Sequence, residues 1–80
     1  MATASAVAKN GGTATIAYPT GYSKDTCAPV YAFLLINLTS PRYFNGAAAV
    51  EYLDTDGIHV VNNGGVAGTI VVGLVKLAAA

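Results

Sequence analysis

Two stretches in the first half of the chain have the hydrophobic pattern of β-strands. Residues 13–18 (TATIAY) alternate small polar and apolar positions between NGG and PTG, which is typical of a half-buried strand. Residues 30–39 (VYAFLLINLT) are nearly all apolar and follow Pro29. A continuous apolar run of this length predicts a central strand that is buried on both faces.

The second half of the chain continues the same pattern. Residues 47–63 form two alternating arms around Asp54-Thr55-Asp56-Gly57. This pattern predicts a β-hairpin with Gly57 in the left-handed position of a type I turn followed by a bulge. A second turn is predicted at Asn62-Asn63-Gly64-Gly65, before the last apolar segment.

The last segment, residues 68–77 (GTIVVGLVKL), is the most apolar part of the tail. Its valines, isoleucine and threonine are β-branched, and its glycines would each cost a helix interior about 1 kcal/mol relative to alanine. Lys76 also interrupts the apolar stretch, which is short for a membrane-spanning helix of about 17–25 residues. The pattern therefore favours a strand over a membrane span.

The N-terminal segment, residues 1–12, is the least informative. ATASAVA is either a further strand or an arm that orders only against a neighbour. With it, the chain has five or six strands separated by turns and no convincing helical period. We therefore predict a single all-β domain over residues 1–80, a small antiparallel β-sandwich or barrel.

Composition limits the classes of function. Charged residues make up 10% of the 80 residues, against about 25% in typical domains, and the four basic and four acidic residues cancel. The chain therefore has no long-range field to attract nucleic acid or an anionic membrane, and neither partner is predicted. The first residues, MATASAVAK, have neither the basic nor the apolar region of a secretory signal, so we expect synthesis without an export signal.

The reactive residues do not form a motif. Cys27, His59 and Asp54 are the residue types of a thiol nucleophile system, but no glycine-rich turn surrounds the cysteine. A lone cysteine cannot close an intrachain disulfide, and one cysteine with one histidine makes zinc binding improbable. Glu51, Asp54 and Asp56 resemble part of a calcium loop, but the rest of its pattern is absent. We predict no enzymatic activity, no cofactor and no metal.

Two further patterns bear on surface roles. Asn37-Leu38-Thr39 matches the glycosylation sequon, but it falls inside the most apolar segment and is interpreted as a chance match. Tyrosine is frequent in a chain without tryptophan, and its amphipathic ring suits either an interface or ordinary packing. The tyrosines are Tyr18, Tyr22, Tyr31, Tyr43 and Tyr52.

These observations lead to a prediction of self-association. A short chain without disulfides and with few charges has little to protect its strand edges, so identical copies or a larger shell protein are expected to cover them. We predict a structural subunit of a homo-oligomeric assembly, of the bacteriophage capsid decoration or cement type, located in a virion or an assembled extracellular particle. The predicted interface residues are Val7, Tyr22, Tyr43, Val72, Leu74 and Leu77.

Two alternatives remain. A binding module for glycans or receptors, of the kind found at a fibre tip, would use Tyr22, Arg42, Tyr43 and the loop of residues 19–29 (PTGYSKDTCAP). A small enzyme would instead depend on Cys27 and His59.

Overall fold

The computed structural model describes residues 1–36 and 39–77, which form two antiparallel sheets. Their strands are β1 (Ala2–Ala8), β2 (Thr13–Ile16), β3 (Cys27–Ile36), β4 (Arg42–Asn45), β5 (Ala48–Asp54), β6 (Gly57–Asn62) and β7 (Gly68–Lys76). The four-stranded sheet has the order β1-β7-β3-β4 and the three-stranded sheet the order β2-β6-β5. The predicted all-β sandwich is confirmed, with seven described strands instead of five or six.

The core lies between the two sheets and is built by alternation along the strands. Alternate residues in β6 and in the middle of β7 face inward and have no exposed surface. Burying them removes their apolar side chains from water, which is the main favourable contribution to folding. The fully buried apolar side chains are Leu34, Ile58, Val60, Ile70, Val72 and Leu74.

Strand β3 is central, as predicted, but it is not buried on both faces. It pairs with β7 along most of its length and with β4 only over Phe33–Ile36. Leu34 faces the core, whereas Tyr31 on the opposite face is 40% exposed. The prediction of burial on both faces is wrong because no layer formed by residues 1–36 or 39–77 covers the outer side of this sheet. Of the predicted strand 30–39, Asn37 and Leu38 lie outside the described residues, and the sequon falls there.

The predicted hairpin is formed by β5 and β6, but its turn differs from the prediction. Asp54 pairs with Gly57, and the bulge lies between Val50 and Tyr52 instead of next to the turn. Gly57 has a φ of 146°, outside the left-handed helical region. A Cβ at this position would lie 2.5 Å from the carbonyl oxygen of Ile16. Glycine is therefore needed here because β2 passes so close to the hairpin.

A buried asparagine connects β6, the end of β1 and the loop before β7. The Asn62 side chain donates to the carbonyl oxygens of Ala8 (3.2 Å) and Val66 (2.8 Å) and accepts from the Gly64 N–H (2.9 Å). Asn62 has no exposed surface, so the three bonds satisfy an amide that would otherwise be costly to bury. The predicted second turn therefore begins at Asn62, the last residue of β6, and the Asn62 side chain holds the turn in place.

The apolar tail is a strand, as its β-branched residues and glycines predicted. Strand β7 lies between β1 and β3, and β1 pairs with it along its full length, from Ala2 opposite Leu74 to Ala8 opposite Gly68. The N-terminal segment is thus an edge strand ordered by its own chain. Within the described residues, there is no helix with the length and apolar character to cross a membrane.

Candidate functional site

The four-stranded sheet presents one face to the core and leaves the other uncovered by the described chain. Side chains alternate along a strand, so residues adjacent to the buried Leu34, Ile70, Val72 and Leu74 point away from the core. We call this set of side chains the outer face. It consists of Thr3, Ser5, Val7, Tyr31, Phe33, Leu35, Tyr43, Asn45, Thr69, Val71, Gly73 and Val75.

An aromatic row crosses the outer face. The rings of Tyr31 and Phe33 stack at 5.9 Å between centroids, and Phe33 meets Tyr43 edge to face at 5.7 Å. The Tyr31 ring lies directly over Gly73, where any Cβ would collide with it. Tyr43 is 61% exposed although it contributes to this row. The row is thus a fixed apolar platform whose open side faces solvent.

No charged side chain belongs to the outer face. All eight charged residues lie within the described part of the chain, in turns, at strand ends or on other strands. They are Lys9, Lys24, Asp25, Arg42, Glu51, Asp54, Asp56 and Lys76. The two sheets therefore differ, because the charges of the β5–β6 hairpin belong to the three-stranded sheet while the outer face of the larger sheet is neutral.

Five of the six predicted interface residues fall into three groups, and the sixth, Tyr22, packs partly against the core. Val7, which is 75% exposed, and Tyr43 lie on the outer face. Leu77 follows β7 directly and is exposed. Val72 and Leu74 lie in the core, so their prediction as interface residues is wrong. The reason is that both alternating sets of β7 are apolar, and only the register with the second sheet determines which set faces inward.

The surface predicted for a binding module is not continuous. Tyr22 packs partly against the core, with Lys76 Nζ 5.2 Å from its ring centroid. Lys76 pairs with Cys27 at the start of β3, whereas Tyr43 pairs with Leu35 near its end. At about 3.3 Å per residue, these two ends are roughly 25 Å apart. Tyr22 and the 19–29 loop therefore lie at one end of the sheet, and Arg42 with Tyr43 at the other.

The residues of the predicted thiol system also remain apart. Cys27 is buried at the start of β3, and its Sγ donates to the carbonyl oxygen of Ser23 at 3.1 Å. His59 lies on the outer side of the three-stranded sheet and contacts other groups. Among the described contacts, none joins the cysteine to the histidine.

A polar cluster surrounds His59 at the β5–β6 hairpin. Nε2 of His59 lies 2.8 Å from Asp56 Oδ1, and Nδ1 lies 3.4 Å from Thr15 Oγ1. Its ring also stacks on Tyr52 at 4.2 Å. The hydrogen bond with His59 is the main cause of a lowered pKa for Asp56, opposed by a smaller effect of desolvation. The histidine is thus held by contacts on both its edges and its face.

Among the described residues, three side chains of the same hairpin could hold a cation. One ligand atom each from Asp54, Asp56 and His59 lies within 4.8 Å of the others, and Glu51 is not part of this group. The partial resemblance to a calcium loop grouped these carboxylates with Glu51 instead and left out His59. The spacing Asp56-x-x-His59 could have indicated the histidine as a member of the group. Asp56 lies in the hairpin turn, and the register of β5 with β6 places His59 close to it.

The tyrosines divide between packing and exposure. Tyr18 packs against the core and donates to the carbonyl oxygens of Asp54 (2.6 Å) and Gly57 (3.2 Å), which anchors the hairpin turn. Desolvation is the main cause of a raised pKa for Tyr18. Tyr31, Tyr43 and Tyr52 are all at least 40% exposed.

No ligand pocket is found among the described residues. Comparison with known proteins adds no relative, because no protein-family model, curated protein or solved structure matches the chain significantly.

Proposed function

We propose that this protein is a non-enzymatic structural subunit of a homo-oligomeric assembly, and that the outer face is a contact surface. The observation that carries the proposal is the neutral, partly aromatic outer face, with Val7, Tyr31 and Tyr43 exposed and no charged side chain among its residues. Large exposed apolar patches mark interaction sites in soluble proteins, and tyrosine is enriched at protein interfaces.

The size of the outer face supports a role in contacts. The four strands contain seven, nine, ten and four residues. At about 3.3 Å per residue and about 4.8 Å between strands, they cover roughly 480 Å². This area lies within the roughly 300–600 Å² of the largest apolar patch of an ordinary monomer, a patch that is often functional. It is somewhat less than the roughly 800 Å² that each partner contributes to a standard interface, so a stable assembly would need further contacts.

Within this class, we propose a virion shell as the setting, with the chain acting as a capsid decoration or cement protein of a bacteriophage. The support is compositional: the chain is neutral, and charged residues make up only 10% of it. Such a chain suits burial between identical copies or against a larger shell protein. The binding-module function becomes the alternative if the chain does not associate.

Paired substitutions on the two sheets test the contact role. Tyr43→Lys places a charge on the outer face, while Tyr52→Lys makes the same change at a residue of similar exposure (53%) on the other sheet. Burying the lysine against an apolar partner should weaken self-association at least about tenfold, which equals about 1.4 kcal/mol. Sedimentation velocity over a concentration series measures the dissociation constants.

The expected result is a large effect of Tyr43→Lys and little effect of Tyr52→Lys. Equal effects of both substitutions would contradict the outer face as the contact surface. A wild-type chain that stays monomeric would overturn the assembly proposal itself, and binding to a glycan array would then support the binding module.

A further inference from the structure

The described sheets have edges that differ in how well they are protected against pairing with another chain. Strands β2 and β4 are only four residues long, and β4 carries Arg42. Strand β5 carries Glu51 at its bulge. The part of β3 that β4 does not cover contains Pro29 and a bulge. Short length, charge, proline and bulges are the devices by which natural sheets prevent edge-to-edge association.

Strand β1 has none of these devices. It is seven residues long, is regular along its whole pairing with β7, and contains no charged residue, proline or glycine. Alternate residues of an edge strand direct their backbone N–H and C=O groups away from the sheet. Strand β1 therefore presents a regular, uncharged row of hydrogen-bonding groups that no described strand covers.

We propose that β1 pairs antiparallel with β1 of a second copy of this chain, joining two four-stranded sheets into one continuous eight-stranded sheet. The inference rests on the proposed function, and it names the partner and the geometry of one contact. A strand that pairs with itself about a two-fold axis needs a surface complementary to itself, and an uncharged strand of small side chains meets this requirement. No like charges face each other along Ala2–Ala8.

The alternation of β1 restricts the register. Directly opposite residues of an antiparallel pair share a face, so outward residues must meet outward residues for both sandwiches to lie on the same side. Placing the two-fold axis at Ser5, the middle of β1, pairs all seven residues. Ser5 then lies opposite Ser5 of the second copy, and Thr3 opposite Val7. This register forms about six to eight backbone hydrogen bonds.

Pairing through β1 also enlarges the proposed contact surface. Because the two outer faces would lie side by side, the neutral area becomes roughly 950 Å² per dimer. This area exceeds the roughly 800 Å² per partner of a standard interface, which the outer face of a single chain does not reach. Edge pairing and face contacts would thus be complementary parts of one assembly.

Disulfide trapping tests the register. Cys27→Ser first removes the native thiol, which is buried in β3. Ser5→Cys in this background would place two thiols on directly opposite residues, with Cα atoms about 4.5–5.5 Å apart, as a disulfide requires. Val7→Cys in the same background is the control, because in this register its two copies are about 13 Å apart. Mild oxidation followed by non-reducing electrophoresis measures the rate of dimer formation.

We expect Ser5→Cys to cross-link at least about tenfold faster than Val7→Cys, because pairing raises the local thiol concentration. A faster reaction of Val7→Cys would overturn the register centred on Ser5. Equal, slow reactions in a chain that still assembles would overturn edge pairing while leaving the proposed function intact. A monomeric chain, detected by sedimentation of the Cys27→Ser variant before oxidation, would overturn both.

Discussion

Replacing Asn62 tests how the buried amide network holds the sandwich together. Asn62→Ala removes three side-chain hydrogen bonds, to Ala8, Val66 and Gly64, from a residue with no exposed surface. The backbone bonds that Asn62 makes to Gly11 and Gly12 are unaffected by the substitution itself. The change therefore isolates the side chain's connection between β6, the end of β1 and the loop before β7.

The expected loss of stability follows from these three bonds. A net hydrogen bond contributes about 1 kcal/mol, and a lost bond that leaves a buried carbonyl without a partner costs about 1–3 kcal/mol instead. The bond to Ala8 lies in the buried part of the molecule, so this penalty applies there in particular. With two bonds of the first kind and one of the second, the free energy of unfolding should fall by about 3–5 kcal/mol. That is a large fraction of the roughly 4–12 kcal/mol expected for a domain of this length.

Urea denaturation followed by circular dichroism measures this loss, at one protein concentration for all variants because association also stabilises the fold. With a urea dependence of about 1 kcal/mol per molar, the midpoint should shift by about 3–5 M. Asn63→Ala is the matched control, because Asn63 is exposed and its backbone N–H keeps its 2.7 Å bond to Ala47. A loss below about 1 kcal/mol in Asn62→Ala would refute the reasoning.

Three further predictions concern the turn, the core and the His59 cluster. Gly57→Ala should cost at least about 2 kcal/mol in urea denaturation, because its Cβ would collide with a carbonyl of β2. Leu34→Lys should abolish the folded circular dichroism spectrum, whereas Leu35→Lys on the outer face should fold and lose association in sedimentation. His59→Phe should keep the ring stacked and raise the pKa of Asp56 toward its ordinary value in an NMR titration. In the wild-type chain, the hydrogen bond between Asp56 and His59 stabilises the fold above the ordinary pKa of aspartate. This stabilisation is lost as the pH falls through the lowered pKa of Asp56, so the variant should lose less stability in acid. An unchanged spectrum in Leu34→Lys, or an unchanged pKa of Asp56, would contradict the respective contact.

Alternation in the sequence predicted much of the fold. The hairpin of β5 and β6 and the strand β7 followed from period-two patterns, turn residues and β-branched side chains. Strand β4 could not be predicted, because all four of its residues are exposed and show no alternation. In β3 and β7, both alternating sets are largely apolar. Local pattern therefore could not determine which set faces the core, and Val72 and Leu74 were misplaced for that reason.

The candidate contact surface depends on topology more than on local sequence. The outer face combines residues of β1, β7, β3 and β4. Strand β7 is distant in sequence from both β1 and β3 and lies between them only because of the strand order. Tyr43 meets Phe33 through the register of β3 with β4, which no pattern in the chain predicts. Composition predicted a sparsely charged surface, but only the fold shows that no charged side chain belongs to the outer face.

The mass of the wild-type chain in solution tests the central proposal most directly. Light scattering across a hundredfold dilution should give masses that are multiples of 8.1 kDa at high concentration and that fall on dilution. The melting temperature should fall with them, because association stabilises the folded chain. A mass of 8.1 kDa at every concentration, with an unchanged melting temperature, would contradict assembly through the outer face.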